Sequence, residues 1–162
     1  MRPTLRAAVL LLLPAALVAC GGAKADPGAA ATTTTSAGAT APAGGLTDFE
    51  LKHGIGPVKE EVRVGPVDAA LAHQGHEFFE AKCSACHKPG ERYVGPALGG
   101  VVERTSPTFV MNMVLNPEGM YTKHPEVRKL LAEYMTQMPN VGASKDDARA
   151  VMEYLRTLPA PK

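Results

Sequence analysis

The chain lacks a surplus of charge of either sign, because 17 Lys and Arg stand against 16 Asp and Glu. Nothing in this balance indicates a nucleic-acid partner or a strongly basic protein partner. The sequence also has no internal repeat, no stretch that alternates as a strand and no apolar run long enough to span a bilayer. Its three cysteines are Cys20, Cys83 and Cys86. We therefore expect one small domain, and the cysteines indicate where its chemistry lies.

Cys83 and Cys86 are separated by two residues, and His87 follows directly. This spacing lets two thiols add to the two vinyl groups of one haem while the histidine binds its iron. The alternatives are a redox cysteine pair, which normally lies in a βαβ unit, and half of a zinc site, which needs more ligands. The motif predicts one covalent c-type haem held by Cys83, Cys86 and His87.

The first 19 residues have the layout of an export signal. Arg2 and Arg6 precede a short apolar run at 7–13, and the four residues that end at Cys20 read Leu-Val-Ala-Cys. This ending resembles the bacterial lipobox, which implies that Cys20 is lipidated and becomes the first mature residue; an ordinary signal peptide is the alternative. Since this kind of haem attachment also occurs outside the cytoplasm, we expect a lipid-anchored protein on the periplasmic side of a bacterial membrane.

Residues 20–45 consist almost entirely of Ala, Thr, Gly, Ser and Pro, with Lys24 and Asp26 as the only charges. Such a segment has no apolar face to bury, so we expect a disordered tether with a span of roughly 25–30 Å. Residues 46–67 form an extension for which the sequence predicts no role. Residues 68–162 are the expected haem domain.

The haem domain is predicted to be all-α, with four helices. Asp68 is the expected N-cap of the first, Asn116-Pro117 is expected to stop the second, and Ser144 with Asp147 resembles a capping box at the last. The predicted helices run from Ala69 to Ala81, from Ser106 to Asn116, from Pro125 to about Thr136, and from Ser144 through Leu158.

A small all-α domain with this motif after its first helix and a Met-Pro before its last resembles class I cytochrome c, and the resemblance covers about Asp68 to Leu158. Gly75 and Phe79 lie eight and four residues before the first haem cysteine, and Tyr154 lies in the last helix. The resemblance implies that the first and last helices cross closely at these residues. The alternative is that Gly75 is a helix defect, costing about 1 kcal/mol relative to Ala.

The resemblance implies that the methionine of the Met-Pro pair, Met138, is the sixth ligand of the iron. Met120 and Met135 are the alternatives, whereas Met113 is expected to pack within its helix. The histidines His53, His73, His76 and His124 are further alternatives, with solvated side chains as the default expectation.

Gly95-Pro96 matches the place where the family has a Gly-Pro whose carbonyl accepts a hydrogen bond from the proximal histidine. The resemblance implies this role for Pro96, and an ordinary turn is the alternative. Lys82, Lys88 and Arg92 flank the motif. They predict either a small positive docking patch or a solvated face.

Two function classes follow. In an electron carrier, histidine and methionine saturate the iron and leave no substrate site; a haem enzyme or ligand sensor needs a displaceable sixth ligand and nearby acid or base groups. The sequence shows no such groups, so we expect a carrier and no enzymatic activity. The segments 112–120 and 134–140 are similar to haem domains associated with some bacterial nitrous oxide reductases. The expected partners are an electron donor and a terminal reductase or oxidase.

Overall fold

A computed structural model describes residues 45–161, and within this range the chain forms seven helices and no strand. The all-α prediction is therefore confirmed. The predicted signal peptide, Cys20 and the linker up to residue 44 lie outside the described residues. None of the described helices is both long and apolar enough to cross a membrane. The helices are α1 Asp48–His53, α2 Ala69–Lys82, α3 Val101–Arg104, α4 Pro107–Leu115, α5 Pro117–Lys123, α6 Pro125–Tyr134 and α7 Lys145–Leu155.

Helix α2 begins and ends almost where the sequence predicts. The Asp68 side chain accepts a hydrogen bond from the backbone N–H of Leu71 at 3.0 Å, which is the expected N-cap. At the other end, the N–H of Cys83 still donates to the carbonyl of Phe79 at 2.8 Å. The first cysteine of the motif thus emerges directly from the last turn of α2.

Helix α4 starts as predicted, with Ser106 as N-cap and Pro107 in the first turn. It ends at Leu115, but the prediction that Asn116-Pro117 only stops the helix is incomplete. The Asn116 side chain accepts from the N–H of Gly119 at 3.3 Å, and Pro117 occupies the first turn of α5. Asn116 therefore closes α4 and caps α5, because the proline that follows it is disfavoured inside a helix but fits the first turn of the next one.

The ends of the last two helices differ from the prediction. Helix α6 stops at Tyr134, before Thr136, because Met135 adopts a left-handed conformation with φ 52°. Helix α7 is closed at its start by the predicted capping box. It ends at Leu155, and Leu158 lies beyond it, since Pro159 disfavours helical geometry at the residue before it. Leu158 nevertheless packs against the core.

Helices α2 and α7 cross at Gly75. A β-carbon at Gly75 would lie 1.9 Å from the carbonyl oxygen of Ala150, so only glycine permits this approach. The rings of Phe79 and Tyr154 meet beside the crossing with centroids 5.3 Å apart. The predicted close contact is confirmed, and the interpretation of Gly75 as a helix defect is wrong.

The hydrophobic core lies between α2, α4 and α7. Its buried members are Phe79, Cys83, Val110, Met111, Val114, Ala148, Val151, Met152 and Leu155. Because Cys83 belongs to this cluster, the haem motif begins inside the core.

Residues 54–67, which we call the strap, connect α1 to α2 and lie against α4. The buried Asn112 amide donates to the carbonyls of His53 and Val58, each at 3.0 Å, and its oxygen accepts from the N–H of Val58 at 3.0 Å. Thr108, also buried, accepts from the N–H of Val62 at 2.7 Å. The extension without a predicted role is therefore bonded to the helical domain through two buried polar side chains.

The end of the strap is fixed by Glu153, which is 1% exposed on α7. Its carboxylate accepts from the backbone N–H of Asp68 at 2.8 Å and pairs with Arg156. Arg156 in turn donates to the carbonyl of Gly65. A buried carboxylate is stable only with such partners, so the strap, α2 and α7 meet in one polar cluster.

Candidate haem-binding site

A cavity of about 710 Å³ opens beside the core. This volume is within the range of small-molecule and cofactor sites, roughly 300–1,000 Å³. The cavity is lined by both cysteines of the motif, by His87 and by Met138, with apolar walls from Phe79, Val101, Phe109, Val110, Val151 and Leu155. A second, open groove of about 770 Å³ runs between Gly100 and the C-terminal residues 156–161, away from the motif.

The motif adopts a tight turn at the end of α2. The N–H groups of Cys86 and His87 both point back to the carbonyl of Cys83, at 3.0 and 2.9 Å. Cys83 is buried and Cys86 half-buried, and both thiols are free. The turn thus presents two thiols and one imidazole to the same cavity.

The environment of Cys83 differs from that of a redox cysteine. Burial, with a smaller contribution from Cys86, raises the pKa of the Cys83 thiol to about 11. Redox pairs depend on a lowered thiol pKa, so the raised pKa of Cys83 argues against a redox cysteine pair. Among residues 45–161, no group of three or more His, Cys, Asp or Glu side chains is arranged to hold a metal ion, as a zinc site requires.

The imidazole of His87 has a fixed orientation. Its Nδ1 lies 3.0 Å from the carbonyl oxygen of Pro96. A carbonyl only accepts, so Nδ1 carries the proton and Nε2 keeps a free lone pair. Gly95 supports the ring from the side, since a β-carbon there would lie 2.6 Å from Cε1 of His87. Sequence reasoning found the Gly-Pro pair but not the steric role of its glycine.

The methionines differ in whether they line the cavity. Met138 and Met113 are the methionines of the described range that line the cavity. Met120 is completely buried elsewhere, and its sulfur accepts the N–H of Ile55 at 3.0 Å. Met135 is 83% exposed. The two alternative methionines therefore lie away from the cavity, whereas Met113, expected only to pack within its helix, faces it.

The other histidines lie outside the cavity lining. His53 and His124 are buried, in contrast to the expected solvated side chains, and Nδ1 of His53 lies 3.0 Å from the hydroxyl of Ser106. Burial lowers the pKa of His53 below its ordinary value. His73 and His76 are exposed on α2, each facing a glutamate one turn later.

The cations flanking the motif make contacts within the protein. Lys88 donates to the carbonyl of Ser84 at 3.1 Å. Arg92 forms a 2.9 Å ion pair with Glu133, and its guanidinium lies 4.1 Å from the ring centroid of Tyr134. Lys82 lines the cavity. The predicted positive patch is therefore smaller than the sequence suggests, because Glu133 offsets the charge of Arg92.

This chain is similar in sequence to a known family and to proteins of that family. The family model described as Cytochrome c matches residues 72–159. Cytochrome c2 iso-2 of Magnetospirillum molischianum is 36% identical over 87 residues, which are 47% of this chain and 90% of that protein. A cytochrome c-553-like protein of Synechocystis is 29% identical over 69 residues, 40% of this chain and 66% of that protein.

Among solved structures, cytochrome c from Rhodothermus marinus is 47% identical with a TM-score of 0.63, covering 67% of this chain and 93% of that one. An engineered form of that protein, bound to a carbene intermediate, is 46% identical with a TM-score of 0.60 and covers 67% and 94%. The matched family region contains the cysteine pair, both cavity-lining methionines and the crossing of α2 with α7.

Proposed function

This chain belongs to the cytochrome c family, and from that premise we propose that it is a membrane-tethered carrier of single electrons between respiratory-chain components and a reductase or oxidase. Membership makes it a class I electron-transfer haem protein with one covalently bound haem c. The tether, the cellular location and the partners are the proposed part.

One observation supports the proposal most strongly: the motif and Met138 line the same apolar cavity. Two free thiols, an imidazole with a free Nε2 and a thioether are the groups that a c-type haem requires. We propose that Cys83 and Cys86 form the thioethers and that His87 and Met138 ligate the iron. When bound, the haem supplies reversible one-electron chemistry between ferric and ferrous iron.

The surrounding residues hold the ligands and exclude water. The carbonyl of Pro96 fixes the ring and tautomer of His87, which raises the basicity of Nε2 and leaves it free to bind iron. Apolar walls from α4 and α7 give the cavity a low dielectric. Ligation by His87 and Met138 would saturate the iron and leave no position for a substrate.

The carboxylates at the cavity support a carrier over the alternative haem enzyme or sensor. Glu126 and Glu133 line the cavity, but their side chains are 65% and 53% exposed. Each is paired with a cation, Lys129 and Arg92 respectively, at 2.8 and 2.9 Å. A catalytic acid or base must be positioned over the reacting atoms, and these two carboxylates lie at the solvated rim in ion pairs.

We further propose that Cys20 carries a lipid and anchors the chain on the periplasmic side of the membrane. The charged and apolar pattern of residues 1–19 and the lipobox-like ending support this location. The segment 20–45 would let the haem domain reach a partner without leaving the surface. The acceptor we favour is a respiratory terminal reductase, with a terminal oxidase as the alternative.

Haem attachment and anchoring can be tested on the full chain. Changing both Cys83 and Cys86 to Ala should abolish the haem-stained band on a denaturing gel, and a surviving band would contradict the assignment. Cys20→Ala should move the protein from the membrane to the soluble fraction, or block its processing, without altering the haem spectrum.

Redox titration of the haem-loaded chain distinguishes the two function classes. A one-electron Nernst curve supports a carrier, whereas peroxide turnover with saturation kinetics supports the enzyme.

A further inference from the structure

A single side chain links the two segments that carry the proposed iron ligands. Arg92 lies in the loop after His87, and Glu133 lies at the end of α6, 41 residues later. Nη1 of Arg92 donates to the Glu133 carboxylate at 2.9 Å, and Nη2 of Arg92 donates to the Glu133 backbone carbonyl at 3.1 Å. The guanidinium also stacks on the ring of Tyr134. We call these three contacts the clasp.

The clasp acts at a helix end. Helix α6 stops at Tyr134, so the carbonyl of Glu133 belongs to the last turn and has no partner within the helix. A cation that donates to such a carbonyl satisfies it and interacts favourably with the helix dipole. Arg92 thus provides a C-terminal cap from another part of the chain. The next residue after the helix, Met135, turns the backbone into the left-handed region.

The segment beyond that turn depends on its anchor. Met138 lines the cavity only four residues after Tyr134. In the described structure, residues 136–139 make no hydrogen bond, so this short segment is held by packing and by its two ends. Any fraying of the last turn of α6 would therefore move the segment that bears Met138.

We propose that Arg92 is a positioning residue, which holds the Met138 segment closed over the cavity by clasping the end of α6. This inference rests on the proposed function, because it takes Met138 as the sixth ligand. An isolated exposed ion pair contributes little to stability. Here the ion pair is combined with a bond to an orphan carbonyl and with stacking on an aromatic ring, which fixes the guanidinium in one geometry.

The expected effect is a larger population of the open state, in which the sixth position is accessible. An added ligand that binds only this state has an apparent affinity proportional to the open fraction. Loss of the clasp should therefore strengthen imidazole binding to the ferric protein by about five-fold, the change that a modest surface interaction produces. High salt should give a smaller increase in the wild type, because it screens the Arg92–Glu133 pair.

The experiment is an imidazole titration of the haem-loaded full chain, followed by the loss of the far-red absorption band that methionine ligation gives to ferric haem. The variants are Arg92→Ala and Glu133→Gln, with Arg92→Lys as the conservative change. Arg128→Ala is the matched control, since this exposed arginine of α6 carries the same charge and forms no ion pair with any residue between 45 and 161. Glu133→Gln keeps the backbone carbonyl and should show a smaller effect than Arg92→Ala.

Tighter imidazole binding in Arg92→Ala than in Arg128→Ala, with partial recovery in Arg92→Lys, supports the clasp. Equal binding in the two alanine variants overturns it. If Arg92→Ala does not load haem, the imidazole affinities of Glu133→Gln and Arg92→Lys are compared with that of Arg128→Ala instead. Tighter binding in these two variants supports the clasp, and equal binding overturns it. Failure of the proposed function looks different, because the wild-type protein itself would then lack the far-red band.

Discussion

Gly75 of α2 lies against the backbone of Ala150 in α7, so closely that a β-carbon at Gly75 would come within 1.9 Å of the Ala150 carbonyl oxygen. Gly75→Ala would gain helix propensity but force the two helices apart. We expect a net loss of about 3 kcal/mol in the free energy of unfolding, measured by denaturant titration of the haem-loaded protein.

Gly65→Ala is the control for that substitution, because no atom of the described part of the chain lies within 4 Å of the added β-carbon. It should change the free energy of unfolding little. If Gly75→Ala were as stable as Gly65→Ala, the close crossing of α2 and α7 would not exist.

Gly95→Ala should disturb the proximal side of the haem site. The new β-carbon would lie 2.6 Å from Cε1 of His87, so the ring must rotate and lengthen its bond to the Pro96 carbonyl. We expect an altered ferric spectrum and less haem-loaded protein. Gly90→Ala, in the same loop but with open space around its β-carbon, should behave as wild type. Identical spectra for both variants would count against the role of Gly95.

Asn112→Ala should release the strap. The Asn112 side chain is fully buried and bonds to the backbone at Val58 and to the carbonyl of His53. Its loss leaves buried backbone groups without partners, at a cost of about 2–4 kcal/mol. Faster trypsin cleavage at Lys59 and Arg63 should report the opening. Cleavage at the wild-type rate would show that other contacts hold the strap.

The strap should also loosen in acid. Burial, reinforced by Lys52 and opposed by Glu61, lowers the pKa of His53 below its ordinary value of 6.5. A lowered histidine pKa means that folding favours the neutral ring, so the stabilisation is complete above about pH 6.5 and is lost as the pH falls through the folded-state pKa. Amide exchange in the strap should accelerate over that range.

His53→Gln keeps a polar partner for Ser106 but cannot titrate, so its strap exchange should depend less on pH. His73→Gln, on the exposed surface of α2, is the control and should retain the wild-type profile. A pH profile unchanged by His53→Gln would assign the acid sensitivity to another group.

Local signals explain what the sequence predicts correctly. Asp68, Ser106 and the Ser144–Asp147 box act within three residues of themselves, so the starts of α2, α4 and α7 can be predicted from short patterns. The cysteine pair with its adjacent histidine is equally local. The close packing at Gly75 follows only from the resemblance to a family, since a lone glycine in a helix has no fixed meaning.

Long-range contacts explain what it misses. The strap is held by Thr108 and Asn112, which lie 46 and 54 residues from their partners and carry no pattern that reveals them. Met113 has the spacing of a core residue, and only the arrangement of α4 against the cavity turns it toward the site. From the sequence alone Arg92 is expected to be a solvated cation, and its ion pair with Glu133 is seen only in the folded chain. Each of these roles is a property of the tertiary structure.

The ferric spectrum and the reduction potential together report whether Met138 is the sixth ligand of a saturated haem. Met138→Ala should lose the far-red band and become high-spin. Met138→His should stay low-spin at a lower potential, because a neutral thioether favours ferrous iron more than imidazole does. Met113→Ala should keep the native spectrum and potential. If Met138→Ala kept the native spectrum and potential, or if Met113→Ala alone lost them, Met138 would not be the sixth ligand.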